Sequence, residues 1–245
     1  MKQPRVRHRH WPAAGLALAL AGCAQLPTGL VTDAQEALSQ SEAAAPALQL
    51  APAPRPAYRV GDTFVFGRIG VERVSRVTRD TLEWTGPEGQ VFLTRTDFFA
   101  PLLQQNRWGR DIRSSLRGNP AALWPLQVGR RVSFEEDRTE PGLLPGSERK
   151  TTLQWTCEVQ DARLSVVPAG DFPSFHVVCR SRREGLPLVL QTARWDYAPS
   201  LGHFVRHSWN EGGRRHELVL SAALPGELAT PERLQRLLER VQTQP

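Results

Sequence analysis

Between Thr151 and Arg182 the sequence alternates so regularly that it leaves little choice of backbone. Leu153, Trp155, Cys157 and Val159 fall at every second position, as do Phe175, Val177 and Cys179. Thr152, Gln154, Glu158, His176 and Arg180 take positions between them. A period of two is the mark of a strand with one buried face. Midway between the cysteines lies Val167-Pro-Ala-Gly-Asp171, the strongest turn signal in the region. A hairpin about that turn sets Cys157 opposite Cys179, or one residue out of register if a bulge intervenes. In an oxidising compartment this predicts a disulfide, and closing a loop of about 23 residues adds roughly 3 kcal/mol in the chain-entropy model. The spacing does not suit a metal site, and no histidine pair accompanies it.

The same grammar runs through most of the chain. Tyr58–Phe66, Val71–Val77, Thr81–Trp84 and Gln90–Arg95 are short β-branched and aromatic runs separated by turn residues. Asp97–Leu103 and Gly109–Pro120 are less regular and read as a loop or short helix inserted against the sheet. Leu126–Phe134 echoes Tyr58–Phe66 in its Val-Gly pair and closing phenylalanine. Further strands follow near 151–160, 163–167, 174–182, 188–197, 203–209 and 215–222. At the end Thr230 can cap and Pro231 suits a first helical turn; Leu234, Leu237, Leu238 and Val241 form one apolar stripe. The expectation is a mainly β protein, a curved antiparallel sheet or half-barrel with a C-terminal amphipathic helix. The β domain spans 58–229, as one sheet or as two meanders over 58–125 and 126–229. The helix, 230–245, covers an edge or open face.

The first 57 residues are of another kind. Lys2, Arg5, Arg7 and Arg9 precede an apolar run, Trp11–Ala21, that ends in Leu20-Ala21-Gly22-Cys23. A run of about 11 residues is too short to span a hydrocarbon core of roughly 30 Å, and the order of regions is that of a secretion signal. Leu-Ala-Gly-Cys resembles a bacterial lipobox. The resemblance implies cleavage before Cys23, acyl chains on its thiol and amine, palmitate among them, and a lasting hold on a membrane. With Ala24 rather than aspartate after the cysteine, it implies the outer membrane, facing the periplasm. Ala24–Ala57, rich in Ala, Pro, Gln and Ser, reads as a disordered tether. The expected division is a signal over 1–22 and a lipidated, tethered segment over 23–57.

Charge excludes one class of partner. Four of the 31 basic residues and none of the 25 acidic ones precede Cys23, leaving 27 against 25. A nearly balanced mature chain gives no electrostatic reason to expect nucleic acid. Pairs such as Arg182-Arg183 and Arg214-Arg215 read as a solvated β surface. His203 and His207 share a strand face about 13 Å apart, too far for one metal ion, and read as partly exposed. Ser208 lacks the strained elbow of a hydrolase nucleophile. Glu135-Glu136-Asp137 splits its carboxylates across both faces and reads as solvated. Of the six tryptophans after Cys23, most belong in a core. Trp108 and Trp124, beside the least regular segment, are the candidates for a ligand-binding face.

Val167-Pro168-Ala169-Gly170-Asp171-Phe172, followed by Trp195-Asp196-Tyr197-Ala198-Pro199-Ser200-Leu201-Gly202, is similar to a V-P-A-G-x-F and W-x-Y-A-P-x-x-G pattern of bacterial envelope β proteins. The resemblance covers about residues 120–210. It implies curved antiparallel sheets somewhat like the half-barrels of lipoprotein carriers, and it assigns no catalytic residue and no cofactor. The sequence therefore points to a non-enzymatic outer-membrane lipoprotein, a binding or envelope-assembly module. Its partners are the membrane through Cys23, and an envelope protein, lipid or glycan. A carrier of lipid or another apolar ligand is the alternative, and a periplasmic hydrolase ranks below both. A deep apolar cavity would favour the carrier. A cleft gathering a histidine, a carboxylate and a nucleophile would favour the enzyme.

Overall fold

The computed structural model describes residues 48–243, apart from 68, 69, 108, 109, 143, 145, 187 and 212. The expectations for Cys23, for the signal and most of the tether, and for Trp108 lie outside the described residues.

Among the described residues the chain forms twelve antiparallel strands. The first six are β1 (Thr63–Phe66), β2 (Gly70–Val77), β3 (Thr81–Thr85), β4 (Val91–Arg95), β5 (Gln104–Arg107) and β6 (Arg110–Arg117). The second six are longer: β7 (Arg131–Pro141), β8 (Glu148–Val167), β9 (Gly170–Arg183), β10 (Val189–Ala198), β11 (His203–Glu211) and β12 (Arg214–Leu224). Each strand pairs with its neighbours in sequence, and β1 pairs with β12, so the sheet closes on itself. The expected curvature thus goes past a half-barrel to a full one, through the register Thr63↔Leu224, Phe64↔Ala223, Val65↔Ala222. Closure removes both sheet edges, each of which would otherwise expose a row of unpaired backbone groups.

Two local expectations change. Gly109–Pro120 is not a loop or helix: most of it is β6, which pairs with β5 through Gln105↔Ile112 and with β7 through Ser115↔Asp137. It offers only Ile112 and Leu116, with Ser114 between them, too little apolar rhythm to mark a strand, and the partner strands supply the register. The two strands expected over 151–167 are one, β8, bulged where the pairing passes from Val159 to Asp161.

The β8–β9 hairpin turns between Val167 and Gly170, where φ is 132° and glycine is the residue that accommodates it. Cys157 stands directly opposite Cys179 and the two form a disulfide buried on the inner wall. Replacing both cysteines by alanine is expected to lower unfolding stability by about 3 kcal/mol, measured by urea titration; a change below about 1 kcal/mol would show that the ladder alone holds this hairpin.

Inward rows are apolar and outward rows carry charge, as in β7, where Val132 and Phe134 face in while Arg131 pairs outside with Glu158. A transmembrane barrel needs the reverse, an apolar band facing lipid. An apolar outward site straddles the β1–β12 closure, Val65 with Val71, Ala222 and Leu224. Helix α1 (Pro231–Thr243) lays Leu237, Leu238 and Val241 on it, so its stripe covers a sheet face as expected. Thr230 caps α1 by accepting from the Arg233 amide.

The two ends of the barrel differ. One is ringed by tight hairpins. At the other, Leu48–Asp62 crosses as a strap, bonded to β8 through Leu48 N to Ala162 O and to the β6–β7 connection through Ala53↔Leu126. The β4–β5 connection, Thr96–Leu103, turns inward, so the insertion expected at Asp97–Leu103 lies inside the barrel with Phe99 fully buried. Strap, insertion and β6–β7 connection meet at Asp97. Its carboxylate, with no exposed side-chain surface, accepts from Arg55 Nη2 (2.8 Å), Arg95 Nε (3.2 Å) and Trp124 Nε1 (2.9 Å). This end is closed.

Candidate functional site

The closed end gives the barrel a floor, and the hairpin end leaves a mouth. Between them lies a cavity of about 620 Å³ whose wall includes Leu82, Trp84, Phe92, Phe98, Trp195 and Trp209. The volume falls in the range of ligand pockets, roughly 300–1,000 Å³. A second chamber of about 280 Å³ adjoins it and shares Leu102, Trp195, His207 and Trp209.

Aromatic side chains reach the lumen because they occupy alternate positions on consecutive strands. Along one wall four rings stack in series. Trp195 lies on His207 at 4.6 Å and 7°, His207 on Trp209 at 4.7 Å and 25°, and Trp209 on His216 at 5.0 Å and 16°. Opposite, Trp84 stacks on Phe92, and its indole N–H donates to Thr94 Oγ1 at 2.9 Å. Phe98, from the insertion, lies flat on Tyr197 at 4.9 Å. His216 stands exposed at the mouth.

Both histidines face the lumen; His203 is buried and so departs from its sequence reading, while His207 is partly exposed as read. His203, 1% exposed, sits at the floor between Phe64 (3.7 Å, stacked) and Phe204 (4.2 Å). Tyr58 from the strap closes its other side, with the phenol oxygen 2.8 Å from Nδ1. Burial pushes the phenol well above its ordinary pKa and pulls the imidazole down to about 3, so the phenol keeps its proton and donates it to a neutral ring. The remaining proton of His203 is then on Nε2, which is buried with no partner, as is Nε2 of His207. Burial brings His207 to about 3 as well and raises Glu72, on the lumenal face of β2, to about 7. The cavity is therefore apolar, uncharged on its histidines, and set with unsatisfied hydrogen-bonding atoms.

Glu136 also departs from its solvated reading. Glu135 and Asp137 face out to Arg117, but Glu136 is fully buried in the wall of the second chamber. It accepts from Ser114 Oγ (2.6 Å), Trp155 Nε1 (2.8 Å) and Arg138 Nε (2.9 Å). These bonds satisfy a carboxylate that would otherwise be costly inside the barrel.

Trp124 lies at the closed end, edge-on to Tyr197 at 5.4 Å and donating to Asp97, and it lines neither chamber. The tryptophans that line the chambers are instead Trp84, Trp155, Trp195 and Trp209, at apolar alternation sites of strands. The signal that marks them is parity: His207 and Trp209 are two apart on β11, opposite Trp195 of β10 and His216 of β12. Among the described residues no Ser, Thr or Cys side chain is hydrogen-bonded to His203 or His207, and no cluster of three or more His, Cys, Asp or Glu forms a metal site. The chemistry the lumen offers is burial of apolar surface, ring stacking and a few directed hydrogen bonds.

No protein-family model matches the chain, and no curated protein matches it. Among solved structures it is similar to the hypothetical lipoprotein YmcC from Escherichia coli K12, at 12% identity and a TM-score of 0.47, covering 80% of this chain and 93% of that one. It is also similar to a candidate lipoprotein from Parabacteroides distasonis, at 12% identity and a TM-score of 0.35, covering 71% of this chain and all of that one. Likenesses this distant assign neither a family nor a role.

Proposed function

We propose that this chain is a lipid-anchored envelope protein whose barrel binds an apolar or amphipathic ligand in its lumen, without catalysis. The anchor rests on Leu20-Ala21-Gly22-Cys23, and the outer-membrane, periplasm-facing placement on Ala24 after the cysteine. The binding role rests on one observation, the aromatic cavity of about 620 Å³ between a closed floor and an open mouth. A wall of tryptophan and phenylalanine rings favours an apolar body, since burying such surface yields about 25 cal/mol per Å². The unpartnered Nε2 of His203 favours a ligand that carries a hydrogen-bond acceptor. This cavity is what separates the carrier from an assembly module working through its outer surface.

Protein purified from native membranes, analysed by native mass spectrometry, is expected to carry an added mass that extraction with organic solvent releases. A fluorescent naphthylamine probe is expected to refill the emptied lumen. Trp209→Glu, which places a charge in the apolar wall, is expected to weaken the probe at least about tenfold, the equivalent of 1.4 kcal/mol. No added mass together with no probe binding would sink the binding role. The anchor is tested separately: Cys23→Ala is expected to leave the protein in the soluble fraction, and a variant still held in the membrane would overturn it.

A further inference from the structure

The hairpins around the mouth do not end at one level. β7 and β8 stay paired out to Pro141↔Glu148, five residues past Leu153↔Arg183, where β9 leaves β8. That is about 17 Å at 3.3–3.4 Å per residue. Leu144, at the tip of this hairpin, is 73% exposed; on the neighbouring β9–β10 hairpin Leu188 is 66% exposed, with Leu186 and Leu190 exposed beside it. These side chains bury nothing within the barrel.

Cations accompany them. Lys150, Arg182 and Arg183 lie on the same two hairpins, and Arg214 and Arg215 at the β11–β12 turn. All five are exposed, and none takes part in an ion pair among the described residues; Arg149, by contrast, pairs with Glu140. Against them on these three hairpins stand the exposed Glu148 and Glu184, with Glu211 opposite Arg214 in the ladder; Glu140 and Glu217 are taken up by Arg149 and Arg206. Pairs that look dispersed along the chain thus gather at one end of the barrel, next to projecting leucines and around the opening of the cavity.

From this juxtaposition we infer that the mouth of the barrel docks on an anionic lipid bilayer. The leucines enter the boundary between headgroups and acyl chains, and the five cations face the acidic headgroups. Each cation near such a surface raises partitioning roughly fivefold, and added salt weakens the effect. Docking needs only the rim. Its use, the passage of an apolar ligand between bilayer and lumen, rests on the lumenal role proposed above.

The test uses the full chain with Cys23→Ser and Leu188→Cys, so that position 188 carries the one free thiol beside the Cys157–Cys179 disulfide, labelled with an environment-sensitive nitrobenzoxadiazole dye. A second protein carries Val128→Cys at the closed end instead. On vesicles of phosphatidylethanolamine and phosphatidylglycerol the dye at 188 is expected to brighten and shift to the blue, and the dye at 128 to stay unchanged. Neutral phosphatidylcholine vesicles are expected to give little response. Reversing Arg182, Arg183, Arg214 and Arg215 to glutamate is expected to raise the lipid needed for half-maximal response at least about tenfold. No response at 188, an equal response at 128, or indifference to charge reversal overturns the inference. Naphthylamine binding without vesicles, measured on the same proteins, keeps the two readings apart: binding without docking overturns docking alone, and docking without binding overturns the lumenal role alone.

Discussion

Acidification from pH 6.5 to 3 is expected to destabilise the barrel by several kcal/mol through two side chains. In the unfolded chain His203 and His207 take up protons near pH 6.5, but in the lumen burial holds both back to about 3. Across that interval the unfolded state binds more protons, so stability falls as pH falls. At 1.36 kcal/mol per pH unit of difference, His203 withdraws about 4–5 kcal/mol by pH 3, and the less deeply buried His207 somewhat less. That sum is comparable to the whole stability of a typical domain, roughly 5–15 kcal/mol. Glu72 acts with the opposite sign: its folded pKa of about 7 favours the folded state below pH 4.5, an advantage lost as pH rises through 7. Two histidines outweigh one glutamate between pH 4.5 and 6.5, which places maximum stability close to pH 6.5. Urea unfolding across pH 3–8 measures this, and His203→Phe is expected to flatten the acid limb. That variant keeps a ring between Phe64 and Phe204 but loses the acceptor of the Tyr58 hydroxyl, so it starts from lower stability at pH 7. An acid limb of the same slope in both proteins would contradict a buried neutral His203.

Asp97→Ala is expected to cost about 3–5 kcal/mol, the range for breaking a buried ion pair by removing one partner. The carboxylate holds Arg55 of the strap, Arg95 at the end of β4 and the indole of Trp124, of which only the strap and the Trp124 connection are otherwise joined by backbone, through Ala53↔Leu126. Without it two guanidinium groups at the closed floor lose their carboxylate, while the turn that inserts Phe98 and Phe99 keeps its backbone bond from the Ala100 amide to the carbonyl of position 97. Asp97→Asn keeps an acceptor for Trp124 while removing the charge, and is expected to cost less than the alanine change. Urea unfolding ranks the three proteins. A loss below about 1 kcal/mol in the alanine variant would show that the aromatic packing holds the floor unaided.

The residues of the β8–β9 hairpin illustrate how much local pattern can reveal. Period-two alternation, one turn with a glycine at positive φ and two cysteines equidistant from it are enough to set Cys157 against Cys179, because every contact in that argument lies within 30 residues. The stripe of α1 is legible for the same reason. β5 and β6 were not legible, since β5 is Gln-Gln-Asn-Arg and β6 offers only Ile112 and Leu116, with Ser114 between them, too little apolar rhythm to mark a strand. Trp124 illustrates a different limit. A tryptophan in an irregular segment has no parity to assign it to a face, and here its indole donates to Asp97 at the closed end.

What the sequence determines by itself is local: strand positions, the hairpin and its disulfide partners, the helix and its apolar stripe, the motif ending in Cys23. What only the tertiary structure decides is the lumen. Closure pairs Thr63 with Leu224, and the floor brings Tyr58 to His203 across 145 residues. The same closure turns His203 and Glu136 from surface positions into interior ones, and gathers the arginines of separate hairpins around one mouth. The physical reason is register. Alternation tells each strand which side is apolar, but whether that side faces an open sheet or an enclosed cavity depends on pairings between segments far apart in the chain, where no local pattern reaches.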